Sequence, residues 1–160
     1  MCLYVLRSRY IASVVIGNGW AAVIEHFIVT KRLTPLAARK LSQVAAFGSP
    51  SVCVAVLLSL RDAVTPLAAA ALFSGALGMN MASHSGYWAN IIDLSPTRAG
   101  FVLGVSNTIG NIPGIYGNFL TGWVLSATGS WAIVFSIAIL HWVAGAALYT
   151  SWASTDEILF

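Results

Sequence analysis

Few residues of this chain can do chemistry, and those few recur at helical intervals. Asn107 and Asn111 stand four apart, so a helix puts both on one face. Asn80, His84 and Tyr87 step by four and three and share another face, with Ser83 and Asn90 near its edges. Amides, a phenol and an imidazole arranged in this way suit hydrogen bonding to a polar solute or to a neighbouring helix. His84 carries a proton or meets an anion in the first case, and bonds to another helix as a neutral ring in the second. No nucleophile–base pair is apparent in the sequence. Cys2 and Cys53 are the only cysteines, and no CxxC or HExxH spacing occurs. The chain therefore reads as a non-enzyme that calls for no metal and no cofactor.

The elements that position these residues must live in lipid. Of 160 residues, 58% are hydrophobic and 8% charged, with a mean hydropathy of +0.83. Soluble domains carry roughly 25% charged residues. A chain this short of charge cannot present a water-compatible surface. Five apolar runs fall at about 11–30, 42–60, 66–92, 99–125 and 131–152. Each has about the 20 residues a bilayer crossing needs. They must be helices, because lipid satisfies no unpaired backbone group, and the alternation of a membrane barrel strand is absent. The first run is the least regular, because Glu25 and His26 interrupt it. Glu25 is expected near its end, anchored by Lys31 or Arg32. The opening residues read as neither a signal nor a transit peptide.

The net charge of +3 is a topological signal. No basic patch with interleaved aromatics exists, so a nucleic-acid partner is excluded. Alternating spans put Arg7, Arg9 and Arg61 on one side and Lys31, Arg32, Arg39, Lys40 and Arg98 on the other. The second side is expected to be cytoplasmic or its equivalent, with the C-terminal tail beside it. Trp20, Trp88, Trp123, Trp131, Trp142 and Trp152 are expected mostly to face lipid or its interfaces.

Polar groups at membrane depth tend to face a bundle interior or a cavity. The fourth run adds Gly100 and Gly104, Gly110 and Gly114, and Pro113 to its asparagines. The glycine pairs predict close helix approach, and Pro113 predicts a kink. Such a helix suits a moving cavity wall, or ordinary packing with asparagine as interhelical glue.

One stretch goes further. Residues Ser85-Gly86-Tyr87-Trp88-Ala89-Asn90-Ile91-Ile92-Asp93-Leu94-Ser95-Pro96 lead to Ala99-Gly100 and to Gly104-Val105-Ser106-Asn107-Thr108-Ile109-Gly110. Leu120-Thr121-Gly122 and Gly129-Ser130-Trp131 follow, and Arg39-Lys40-Leu41-Ser42-Gln43 with Phe47-Gly48-Ser49-Pro50 precede. This pattern resembles the anion:cation symporter branch of the major facilitator superfamily. That branch holds vesicular glutamate transporters, sialin, sodium-dependent phosphate transporters and plant plastid anion transporters. The match covers about residues 11–157 and is most specific at 85–131. Two departures stand out. The family's P-R-Y-A reads Pro96-Thr97-Arg98-Ala99 here, which displaces the Arg by one position. The family's acid near the end of helix eight is matched only by Glu25.

The resemblance implies an all-α membrane protein whose five runs are helices eight to twelve of a major facilitator fold. Residues 1–160 would then be part of its C-terminal half, with the N-terminal transporter half as missing partner. It further implies secondary active transport of organic or inorganic anions, with sodium or protons coupling, in a multi-pass protein of the lipid bilayer. Such transporters rock two halves around a midplane site, so the fragment is expected not to transport alone. Asn107, Asn111, Ser85, Tyr87, Asn90 and His84 would line the substrate cavity. Asp93 and Arg98 would gate it or merely mark the membrane boundary; by position, Asp93 is expected to accept from the free N–H groups that open the fourth run, and Arg98 to pair with Asp93. A small membrane-embedded interaction protein without transport activity is the alternative reading.

Overall fold

In the computed structural model, residues 2–60 and 63–158 are described, residues 2–9 by backbone alone. Arg61 and Asp62 lie outside the described residues. The described residues form six α-helices and no strand: α1 (Cys2–Val29), α2 (Pro35–Ser59), α3 (Pro66–Asn80), α4 (Tyr87–Leu94), α5 (Ala99–Thr128) and α6 (Trp131–Trp152). A 3₁₀ turn, Met81–His84, joins α3 to α4. The protein is an all-α membrane protein. Three of its helices are long and apolar enough to cross a bilayer by length and composition: Tyr10–Val29, Pro35–Ser59 and Trp131–Trp152. The third expected run is broken, and neither the 15 residues of α3 nor the 8 of α4 spans alone. α5 has 30 residues and no charge, but its glycines and polar residues dilute its hydropathy.

The helix starts follow from capping. Thr34 and Thr65 each accept a hydrogen bond from a backbone N–H three residues on, at 3.2 and 3.3 Å, and each precedes a proline at the first helical position. α2 therefore begins at Pro35 and not near Ser42, so Arg39 and Lys40 belong to the helix and not to a loop. This shift decides the polar contacts below. Lys31 ends α1 in the left-handed conformation, φ 55°. The Arg32 N–H then reaches back to the Phe27 carbonyl at 2.9 Å, which closes the helix end.

α1 packs along α3, α2 packs along both α3 and α6, and α5 touches only α4 and α6. The tightest approaches are made by glycines outside the expected pairs. A Cβ at Gly78 would lie 2.7 Å from Ile16 Cδ1 and 3.0 Å from the Ala12 carbonyl oxygen. One at Gly17 would lie 2.8 Å from Met81 Cβ, and one at Gly145 would lie 2.9 Å from the Phe47 ring. Cβ atoms at Gly100, Gly104, Gly110 and Gly114 would meet nothing within 4 Å. The expectation of close approach through these four is not met within this chain, because nothing described packs on that face of α5. α5 continues as one helix through Pro113.

Candidate functional site

The chemistry concentrates where the third run breaks. Between His84 and Tyr87 the α-helical ladder is interrupted, which frees backbone groups that lipid cannot satisfy. α2 supplies their partners from residues four apart. The Arg39 Nη1 donates to the Ser85 carbonyl at 3.2 Å, and the Tyr87 N–H donates to Gln43 Oε1 at 3.2 Å. Gln43 is only 1% exposed. Gly86, between them, lies so near that a Cβ there would approach Gln43 Oε1 to 2.6 Å and its backbone nitrogen to 3.1 Å.

The rest of α2 extends this seam. Pro50 has no N–H, so the Ala46 carbonyl loses its i+4 helical donor. The Asn80 side chain donates to that carbonyl at 3.1 Å, from the last residue of α3. Ser42 is fully buried and accepts from the Trp20 indole N–H at 3.0 Å. Trp20 therefore bonds to another helix instead of only facing lipid.

At the end of the seam lies the ion pair of the described residues. Arg39 Nε and Nη2 donate to the two Asp93 carboxylate oxygens at 2.8 and 3.3 Å, and the two side chains are 16% and 26% exposed. This corrects the expected Arg98 pairing. Arg98 is exposed at the N-cap of α5 and makes no capping bond with its side chain. Asp93 turns instead to α2, because α2 starts early enough to bring a forked guanidinium to it. Glu25 is exposed and forms no ion pair with Lys31 or Arg32 among the described residues.

The C-terminal tail closes over the same end. Asn90, 4% exposed, donates to the Ser154 carbonyl at 2.6 Å. The Ile158 N–H donates to the Leu94 carbonyl at 2.8 Å. Ser154 and Asp156 form a small turn, with the Asp156 N–H on Ser154 Oγ at 3.0 Å. An open groove of about 540 Å³ lies beneath, lined by Asn90, Leu94, Tyr149, Trp152 and Ser154 among others. The Tyr149 hydroxyl is buried and has no hydrogen-bond partner among the described residues.

The remaining expected residues lie apart from this cluster. His84 is exposed, with its ring stacked on Trp88 at 5.8 Å, beside a groove lined by Ser13, Gly17, Asn18 and Met81. Tyr87 and Ser85 are half-buried, and they bond to α2 through their backbone groups. Asn107 and Asn111 are exposed on α5, and Asn111 donates to the Asn107 carbonyl at 2.8 Å. Arg39, Ser42 and Gln43 were not singled out from the sequence as site residues. The usable signals were the i, i+4 spacing of Arg39 and Gln43 and the carbonyl that Pro50 must free. Among the described residues no cluster of three metal-ligating side chains forms.

No family model matches the chain. Among curated proteins it is similar to probable anion transporter 6, chloroplastic, of Arabidopsis thaliana. The two are 29% identical over 151 residues, covering 94% of this chain and 29% of the relative. It is similar to the chloroplastic ascorbate transporter of Arabidopsis thaliana, 31% identical over 142 residues, 89% of this chain and 25% of the relative. It is also similar to the voltage-gated purine nucleotide uniporter of Mus musculus, 32% identical over 121 residues, 76% of this chain and 26% of the relative. The chain thus spans between a quarter and a third of the length of these relatives. All three are named as transporters and none as an enzyme.

Proposed function

From the premise that this integral membrane protein is a homologue of anion transporters over most of its length, we propose that it is part of the C-terminal half of such a transporter. Its helical runs then correspond to helices eight to twelve of a major facilitator fold, with the third run broken at Gly86. The cargo is a small organic or inorganic anion, moved by secondary active transport with sodium, protons or the membrane potential as driving force. The similarity along 94% of the chain carries this reading. The exposed face of α5, with Asn107, Asn111 and four open glycines, supports it, because that face suits the N-terminal half that such a transporter needs.

Within this reading the proposed cavity residues divide into two groups. Asn107, Asn111 and His84 are the exposed polar side chains available to an anion path. Ser85, Tyr87 and Asn90 contribute by shaping the break and its end. Asp93 acts in gating through Arg39, and Arg98 acts from the exposed start of α5.

Proteoliposomes test the proposal. This chain is reconstituted alone, and beside it any longer in-frame product of the same transcript. Uptake of ascorbate, ATP, phosphate and glutamate is measured under imposed sodium, proton and potassium-diffusion gradients. Gradient-dependent uptake by the longer product alone is expected. Uptake by neither overturns anion transport, and uptake by the 160-residue chain overturns its status as a part.

A further inference from the structure

We infer that Gln43 is a positioning residue, matched to Gly86, that fixes where the third run breaks and therefore how α4 is aimed. Gln43 is fully enclosed and directs its side-chain oxygen at the first N–H of α4, that of Tyr87, at 3.2 Å. Its side chain occupies the place a Cβ at Gly86 would crowd, 2.6 Å from Oε1 and 3.3 Å from the Gln43 Cβ. Any other residue at 86 drives Gln43 aside and removes the acceptor. The segment before the break is seated by contacts that do not involve Gln43, including the Asn80 bond to the Ala46 carbonyl. Gly17 lets α1 press on Met81 of the 3₁₀ turn, and Gly78 lets α1 press on α3. The broken run is thus held by α1 on one side of Gly86 and by the Gln43 oxygen on the other. α4 carries Asn90, which holds the tail, and Asp93, which pairs with Arg39. The aim of α4 thereby sets both contacts. This assignment deepens the transport reading, since α4 borders the proposed gate, but its geometry does not require transport.

The test uses the whole chain in lipid nanodiscs, with amide hydrogen exchange resolved by segment. Gln43→Leu keeps the volume and removes the acceptor, and Gln43→Glu keeps an acceptor. In Gln43→Leu, exchange of the amides from Tyr87 to Leu94 is expected to rise about five- to tenfold, the worth of roughly one net hydrogen bond. Exchange in α1 and α3 stays within about twofold, and Gln43→Glu restores α4 to within about twofold of the parent. Gly86→Ala, which displaces the Gln43 oxygen from the other side, is expected to reproduce the Gln43→Leu pattern and decides the matter if Gln43→Leu does not fold. Unchanged α4 exchange in the folded variants overturns the inference, as does a rise spread evenly over α1, α3 and α4. Because no uptake is measured, a negative result here is separable from a failure of the transport reading.

Discussion

The Arg39–Asp93 pair offers the sharpest test of the seam. Arg39 makes three hydrogen bonds, two to the Asp93 carboxylate and one to the Ser85 carbonyl. Exposed pairs contribute about 0–1 kcal/mol, whereas removing one partner of a buried pair costs about 3–5 kcal/mol. With exposures of 16% and 26%, this pair falls between those limits. Arg39→Met leaves both the carboxylate and the carbonyl without their donor, and is expected to cost about 2–3 kcal/mol. Asp93→Asn keeps the shape and one acceptor, and is expected to cost roughly 1 kcal/mol. The double variant is expected to fall short of the sum by about 1 kcal/mol, since the second change removes a bond already lost. Steric-trapping unfolding in bicelles measures all three. Arg98→Ala is the control and is expected to stay within about 0.5 kcal/mol. Additivity within about 0.3–0.5 kcal/mol refutes the pairing. Coupling of Asp93 to Arg98 refutes the assignment of its partner.

The glycines predict opposite signs in the same unfolding assay. Gly78→Ala is expected to destabilise by about 1–2 kcal/mol, because overpacking against the Ala12 backbone outweighs the gain in helix propensity. Gly104→Ala in the same chain is expected to stabilise by about 0.5–1 kcal/mol, because its Cβ enters open space. Asn90→Leu removes the amide that holds the Ser154 carbonyl. Limited proteolysis after Trp152 should then speed up severalfold while the helices stay intact, and an unchanged rate would show that Asn90 does not hold the tail. With Cys2 and Cys53 replaced, cysteines introduced at Leu36 and Asp156 should label from the same side of the membrane. Labelling from opposite sides would sink the topology.

The all-α membrane character and three of the expected runs were legible as helices long and apolar enough to span, because burial in lipid imposes length and composition directly, whereas the third run proved broken. The start of α2 was misplaced by seven residues, because Arg39 and Lys40 interrupt the apolar run there and the Thr34–Pro35 cap marks the true start. The same error hid Arg39, since a guanidinium assigned to a loop has no fixed direction. Within the third run, Asn80, Ser85 and Asn90 were read as polar groups at membrane depth. Two of them serve the fold, however: Asn80 replaces a donor that Pro50 cannot supply, and Asn90 holds the tail. Sequence spacing shows which residues share a face. It does not show whether that face meets a carbonyl on the next helix. The glycine pairs of α5 find no neighbour among the described residues for a related reason, since spacing permits close approach without naming the neighbour.

A contrast between α2 and α5 bears most directly on function. On α2, Arg39, Ser42, Gln43 and the carbonyl freed by Pro50 all find partners on other helices. On α5, Thr108, Asn111 and Ser126 bond back to carbonyls of their own helix, and the four glycines from Gly100 to Gly114 face open space. Polar groups in a membrane that bond only to their own helix remain able to exchange partners at small cost, whereas buried interhelical bonds such as those of Gln43 are costly to break. α2 and the broken run are thus tied together by interhelical bonds, whereas the glycine face of α5 meets nothing among the described residues. This division supports placing the proposed anion path along Asn107 and Asn111. Asn107→Ala should accordingly impair uptake by a full-length transporter while leaving the unfolding free energy of this chain within about 0.5 kcal/mol of the parent. A loss of stability with intact uptake would move Asn107 from the path to the packing of the helices.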